Sequence, residues 1–150
     1  MKNPINPFLW FDSQAGAAAD FYAATFPGAR LLGGSPLVVS VEVGELKFSL
    51  LNGGPQFKVN PSISFFYNCG SEAEIDALWR TLSLGGSVMM PLDAYPFARK
   101  YGWVADKFGV NWQLTLPSSP PRQKVSPSLM FTQDRCGRAE EALRFYTSVF

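Results

Sequence analysis

Not one of the 150 residues is a histidine. That absence removes the commonest general base at neutral pH and the commonest transition-metal ligand. It also excludes every His-dependent catalytic triad, the HExxH metal site and the zinc-deaminase signature. Any chemistry must come from carboxylates, Tyr, Cys, Lys, Ser, backbone groups or a bound cofactor. Cysteine is scarce as well: Cys69 and Cys136 are the only two, and neither belongs to a closely spaced metal or redox pair. A reduced, cytoplasmic protein is the expectation. No Lys/Arg cluster exceeds two residues and the formal net charge is +1, which argues against nucleic acid and anionic membrane surfaces as partners. No apolar run reaches the ~18–20 residues that a membrane span needs. Met1-Lys2-Asn3-Pro4 carries no apolar stretch of signal-peptide length before Pro7.

What is present is a well-punctuated globular pattern, 47% hydrophobic, enough for one sizeable core. Pro7–Phe11 reads as a strand. Ser13 is placed to cap a helix over Gln14–Phe26, which Pro27-Gly28 stops. Arg30–Leu32, Leu37–Val43 and Leu46–Leu51 follow as strands, the last two joined at Gly44-Glu45. The order then repeats. Ile63–Asn68 is a strand, and Ser71-Glu72-Ala73-Glu74 forms a capping box that opens a helix burying Ile75, Leu78, Trp79 and Leu82. Strands are expected at Ser87–Met90, Tyr101–Val104 and Val110–Leu116. Residues 7–117 are thus two βαβββ units, each with an uncovered sheet face, which should pair into one domain within 1–117.

Residues 118–126 read as a Pro/Ser linker. Beyond it the opening recurs. Pro127-Ser128-Leu129-Met130-Phe131 echoes Pro7-Phe8-Leu9-Trp10-Phe11, offset by 120, and Ala142–Phe150 echoes Ala18–Phe26, offset by 124. Residues 127–150 therefore read as the strand and helix that start a further copy, a tandem array broken off after one and a quarter domains. So apolar a segment should not float free. A homodimer is expected, with 127–150 adding to a sheet edge, its own or exchanged with a partner.

The segments FLWF, FYAATFP, LNGGPQF, SISFF and GWVADKFGVNWQL resemble the PhnB-like branch of the glyoxalase/bleomycin-resistance (vicinal oxygen chelate) superfamily. Members often carry the label 3-demethylubiquinone-9 3-methyltransferase. The resemblance covers 7–117 and again 127–150. It implies an α+β fold in which paired βαβββ modules form a cup-shaped, roughly eight-stranded mixed sheet around a small-molecule site. It also implies dimers or tandem pairs. Superfamily enzymes hold a divalent metal with His and Glu, and the corresponding positions here fall on or near Pro7, Phe48, Ser62 and Gln113. Pro7 and Phe48 offer no ligand atom, and hard cations want several charged oxygens, so neither metal nor cofactor is expected. The methyltransferase label sits poorly with the glycines. Gly33-Gly34, Gly53-Gly54 and Gly85-Gly86 do not lie between a strand and a following helix, where most nucleotide-type cofactors are cradled.

Strand alternation sorts the site from the core. Phe48, Leu50 and Asn52 share one face; Ser62, Ser64 and Phe66 share another; Gln113 and Thr115 share a third. With Leu9 and Trp103 these residues are expected to line a cup for a small organic ligand, leaving Ser49, Leu51, Ile63, Phe65, Trp112 and Leu114 toward the helices. Asn52 reads equally as a turn residue, Gln113 as a structural amide and Trp103 as core packing. Trp10 and Trp112 are expected in the core. Glu42 should pair with Lys47 across the hairpin. Tyr95, Arg99 and Lys100 read as a solvated loop, Cys69 as an inert apolar filler and Cys136 as an exposed thiol. Three functions fit these residues: a metal-free binding domain for a small molecule, an enzyme of the superfamily (lyase, dioxygenase or transferase), or a regulatory module with a degenerate cup.

Overall fold

The apolar alternation and its Gly/Pro punctuation produce nine strands and three helices in the structure, a computed structural model describing residues 5–150. The reading of Met1–Pro4 lies outside the described residues. The first unit is β1 (Phe8–Phe11), α1 (Ala15–Thr25), β2 (Arg30–Gly34), β3 (Val38–Val43) and β4 (Leu46–Asn52). The second is β5 (Ile63–Asn68), α2 (Glu72–Ser83), β6 (Ser87–Tyr95), β7 (Ala98–Ala105) and β8 (Asn111–Thr115). β9 (Val125–Leu129), a 3-10 turn (Gln133–Arg135) and α3 (Ala139–Val149) follow.

Each unit closes on itself in the same way. Its first strand runs parallel to its last, giving the orders β1-β4-β3-β2 and β6-β7-β8-β5. The eight strands thus form two mixed four-stranded halves. β9 extends the second half, lying antiparallel along the outer edge of β5. The strand expected at 127–131 is displaced two residues toward the linker, because Lys124 and Val125 are fixed there. The Asn68 amide donates to the Lys124 carbonyl at 2.9 Å, and Val125 is buried. β6 and β7 are longer than expected, so Tyr95, Arg99 and Lys100 belong to a hairpin instead of a loop. Tyr95 and Phe97 stack there with ring centroids 5.4 Å apart, and Lys100 pairs with Asp76 at 2.6 Å.

One core serves both halves. α1 buries Ala15, Ala18, Ala19 and Tyr22 on β3 and β4, and α2 buries Ile75, Leu78 and Leu82 on β6–β8. Trp112, fully buried, joins them: its ring lies 5.5 Å from Tyr22, 4.5 Å from Phe26, 5.9 Å from Phe48 and 5.4 Å from Phe65. α2 starts as its capping box dictates, with the Glu74 amide donating to Ser71 Oγ at 3.1 Å. α1 does not start as expected. Ser13 makes no cap; the Ala15 amide donates instead to Asn52 Oδ1 at 2.8 Å, so a residue from the end of β4 satisfies the orphan donor. Trp79, expected in the core, is half-buried against Gly102, where a Cβ would strike its ring.

Candidate polar row and inter-half cleft

Aligned partners in a sheet share a face. In the first half, Leu9, Leu50 and Val39 align, as do Phe48 and Val41, and this is the face that packs on α1. The structure therefore corrects the expected parity of β4. Phe48 (2% exposed) and Leu50 (0%) are core, while Ser49 and Leu51 point away with Trp10. Leu9 goes with the core face as well. The misreading has a physical origin: alternation separates Leu46, Phe48 and Leu50 from Lys47, Ser49 and Leu51, but it does not say whether the apolar face lines a cup or meets a helix. Trp10 is half-buried on the open face, where its indole N–H donates to the Gly54 carbonyl at 2.8 Å and its ring meets Phe57 edge-on at 5.0 Å. Gly53 is needed beneath it, since a Cβ there would collide with the indole. Glu42 also lies on that face. Although Lys47 is opposite it, its partner is Arg30 Nε at 2.9 Å.

In the second half the expected parity holds. Phe65, Tyr67, Trp112 and Leu114 face the helices. Ser64, Phe66, Asn111, Gln113, Tyr101 and Trp103 align on the other face. Five of them form a polar row, buried except at Trp103. The Tyr101 hydroxyl donates to Gln113 Oε1, Gln113 Nε2 donates to Ser64 Oγ at 2.7 Å, and Trp103 Nε1 donates to Asn111 Oδ1 at 3.0 Å. Burial, with a smaller contribution from Tyr95, pushes the Tyr101 phenol up to about 12, so it stays a neutral donor. Phe66 flanks the row, its ring 6.2 Å from Tyr101. The row opens at Asn111 into a cleft of about 190 Å³ between the halves, bounded by Phe8 and Trp10 on one side and by Ser62 and Lys58 on another. Of the residues expected to line a cup, Ser62, Ser64, Phe66, Trp103 and Gln113 come to this row and cleft. Leu9 reaches the cleft from the core side, and Asn52 is engaged in capping α1 and in donating to the Pro36 carbonyl at 2.9 Å.

Asn111 and Tyr101 were not singled out by sequence, although Asn111 sits two residues before Gln113 and so shares its face. Two further buried clusters also escaped. Asp106, 3% exposed, accepts from Tyr22 Oη at 2.8 Å, Trp112 Nε1 at 3.0 Å and the amides of Phe108 and Val110 at 2.8 and 3.1 Å. Burial raises its carboxyl pKa above the ordinary value despite those donors. The Asp106-Lys107-Phe108-Gly109 turn was the available signal.

Glu74 is the second cluster. It accepts from the Gly70 amide at 2.6 Å, Tyr67 Oη at 3.0 Å and Lys124 Nζ at 2.8 Å, tying the linker to the start of α2. Burial opposes its ionisation, but the Lys124, Gly70 and Tyr67 donors outweigh it and hold the carboxyl below its ordinary 4.5. A depressed acid pKa gives stability that is present above the unfolded value and lost as pH falls through the folded one. Glu74→Gln is therefore expected to weaken the protein at neutral pH and to flatten the acid side of its stability profile below 4.5, as measured by denaturant unfolding at a series of pH values. An unchanged acid slope would remove Glu74 from this role. Cys69 lies against the same cluster. Burial and then Glu74 push its thiol up to about 12, which makes it inert.

The polar row does not fit a divalent metal. Gln113 Oε1 and Asn111 Oδ1 already accept from Tyr101 and Trp103, and Ser64 Oγ accepts from Gln113. No carboxylate joins them, and hard cations need charged oxygens. Nor do the four positions carried over from the superfamily converge, because Phe48 packs on Trp112 while Gln113, the next residue along the strand, points the opposite way. Among the described residues no three His, Cys, Asp or Glu side chains cluster.

Comparison with known proteins agrees with this architecture. No curated protein matches the chain. The family model for 3-demethylubiquinone-9 3-methyltransferase matches residues 3–115. The solved PhnB protein from Bacillus cereus is 31% identical, with a TM-score of 0.69 over 75% of this chain and 98% of that one. A Pseudomonas aeruginosa protein is 26% identical, with a TM-score of 0.65 over 75% of this chain and 96% of its own. A glyoxalase-related enzyme from Fulvimarina pelagi shares the fold at 16% identity, with a TM-score of 0.59 over 86% of this chain and 99% of its own. The chain belongs to the 3-demethylubiquinone-9 3-methyltransferase, or PhnB-like, family.

Proposed function

We propose that the chain is a metal-free binding domain for a small, uncharged organic molecule, which enters the cleft at Asn111 and lies along the polar row between Phe66 and Trp103. The carrying observation is the row itself. Side-chain amides and hydroxyls sit on the sheet face turned away from both helices, in a setting that a purely structural sheet would fill with apolar groups. A few fixed polar groups among aromatic walls are the usual makeup of a small-molecule site. With Gln113 held from both sides, Ser64 retains a hydroxyl hydrogen and Tyr101 an oxygen lone pair, a donor and an acceptor for a neutral polar group. A cleft of about 190 Å³ admits a single-ring compound. The methyltransferase label draws no support from the turns. Strands lead into α1 through Asp12-Ser13-Gln14 and into α2 through Cys69-Gly70-Ser71, and neither is a Gly-rich cofactor cradle.

The test is thermal unfolding with benzamide and phenol as probes, beside Mg²⁺, Mn²⁺ and Zn²⁺. The aromatic probes are expected to raise the melting temperature with concentration, and Gln113→Leu to weaken that response at least about tenfold, the scale of one lost hydrogen bond. The cations are expected to leave it unchanged. A saturable rise with one of the metals, or no response to either aromatic compound, would overturn the reading.

A further inference from the structure

We propose that Asn52-Gly53 is a self-modification site: local opening of this corner lets Asn52 deamidate, and neither product can rebuild the closed corner. The chemistry needs only water. The Gly53 main-chain nitrogen attacks the side-chain carbonyl carbon of Asn52. A C–N bond forms, the side-chain amide leaves, and it departs as ammonia with the proton that Gly53 gives up. The five-membered imide then takes up water and opens at either carbonyl, giving aspartate or isoaspartate. Glycine favours this attack because it has no side chain to hinder it and bends freely. Asn52 is the only asparagine that precedes a glycine. Asn3, Asn6 and Asn60 precede proline, which has no N–H, and Asn68 and Asn111 precede Cys69 and Trp112.

The folded corner holds both reacting groups apart. Asn52 Oδ1 accepts from the Ala15 amide at 2.8 Å and Nδ2 donates to the Pro36 carbonyl at 2.9 Å, so the side chain is fixed at both atoms. The Gly53 amide, the nucleophile, donates to the Phe11 carbonyl at 2.8 Å. Attack must break these three bonds and bend the extended end of β4. The products do not fit the same place. Isoaspartate lengthens the main chain by a carbon and displaces Gly53, where even a Cβ would collide with the Trp10 indole. Aspartate keeps an oxygen for the Ala15 amide but loses the donor to Pro36 and sets a carboxylate against that carbonyl. The exposed part of the lock is the turn at Ser35. Its Oγ accepts from the Leu37 and Val38 amides at 3.3 and 3.2 Å and so positions the Pro36 carbonyl.

The test follows the 150-residue chain at mildly alkaline pH, folded and in guanidinium chloride, by mass spectrometry of its tryptic fragment Phe48–Lys58. That fragment contains Asn52 and no other asparagine, and fragmentation separates it from Gln56. The mass gain of amide-to-acid conversion is expected at Asn52 in denaturant, and at least about thirtyfold more slowly in the folded chain, the scale of three hydrogen bonds. Ser35→Ala, an exposed substitution, is expected to raise the folded rate about threefold or more while moving the melting temperature by only about 2 °C. The converted chain, separated by its added negative charge and refolded, is expected to melt about 3 °C or more below the parent. Equal rates with and without denaturant, a Ser35→Ala rate no higher than the parent's, or a converted chain that melts with the parent would each overturn the proposal. So would an Asn52 that stays unmodified in denaturant.

Discussion

Asp106→Ala is expected to lower stability by about 3–5 kcal/mol, enough to drop the melting temperature by roughly 10–15 °C. The substitution removes a single carboxylate, yet it strands four donors: Tyr22 Oη, Trp112 Nε1 and the Phe108 and Val110 amides. Tyr22 and Trp112 are fully buried and have nowhere else to donate, and each unsatisfied group costs about 1–3 kcal/mol. Tyr22→Phe is the control, because it deletes one donor together with its need for an acceptor, at a cost of about 1 kcal/mol. Since these side chains share one network, the double variant should cost less than the sum of the two singles. The pH behaviour distinguishes Asp106 from Glu74. A carboxyl raised by burial binds its proton more tightly folded than unfolded, so its contribution grows as pH falls through the folded pKa, opposite in sign to that of Glu74. Denaturant unfolding of Asp106→Ala beside Tyr22→Phe checks the claim. Equal losses in the two would show that the carboxylate is not the hub.

The second large effect contrasts two tryptophans nine residues apart. Trp112→Ala should cost about 3–5 kcal/mol, because the indole fills the space between Tyr22, Phe26, Phe48 and Phe65 and no backbone movement closes that volume. Trp103→Ala should cost about 1–2 kcal/mol, since that ring is half-buried on the opposite face and gives up mainly its bond to Asn111. The two variants should also differ in function. Trp103→Ala is expected to abolish the response to benzamide with the fold intact. Trp112→Ala is expected to weaken folding and binding together. Similar stability losses would mean that the faces of β7 and β8 are assigned the wrong way round.

Between the repeat and its partners lies the division between what is legible in a linear sequence and what is not. The order of elements, the two-unit repeat, the capping box at Ser71, the placement of Trp112 and the recurrence of β1 and α1 in the last residues all follow from local signals: turn residues, periods of two or 3.6, and self-similarity. The family resemblance followed as well, because its motifs are short and contiguous. Within the candidate site, β5 and β8 were readable since Ser64 and Gln113 contrast with Phe65, Trp112 and Leu114. β4 was not. Its alternation sets Leu46, Phe48 and Leu50 apart from Lys47, Ser49 and Leu51, but only the packing of α1 on β3 and β4 decides that the apolar set meets a helix and does not line a cup. Contacts between residues far apart in sequence were equally out of reach. Asn52 caps a helix 37 positions earlier, Tyr22 meets Asp106 across 84, and Lys124 reaches Glu74 across 50. Local sequence fixes dihedral preferences and periodicity. Which side chain receives a given buried proton, and whether the apolar face of a strand meets a helix or lines a cup, is settled only when the two halves pack and every buried polar group must find a partner.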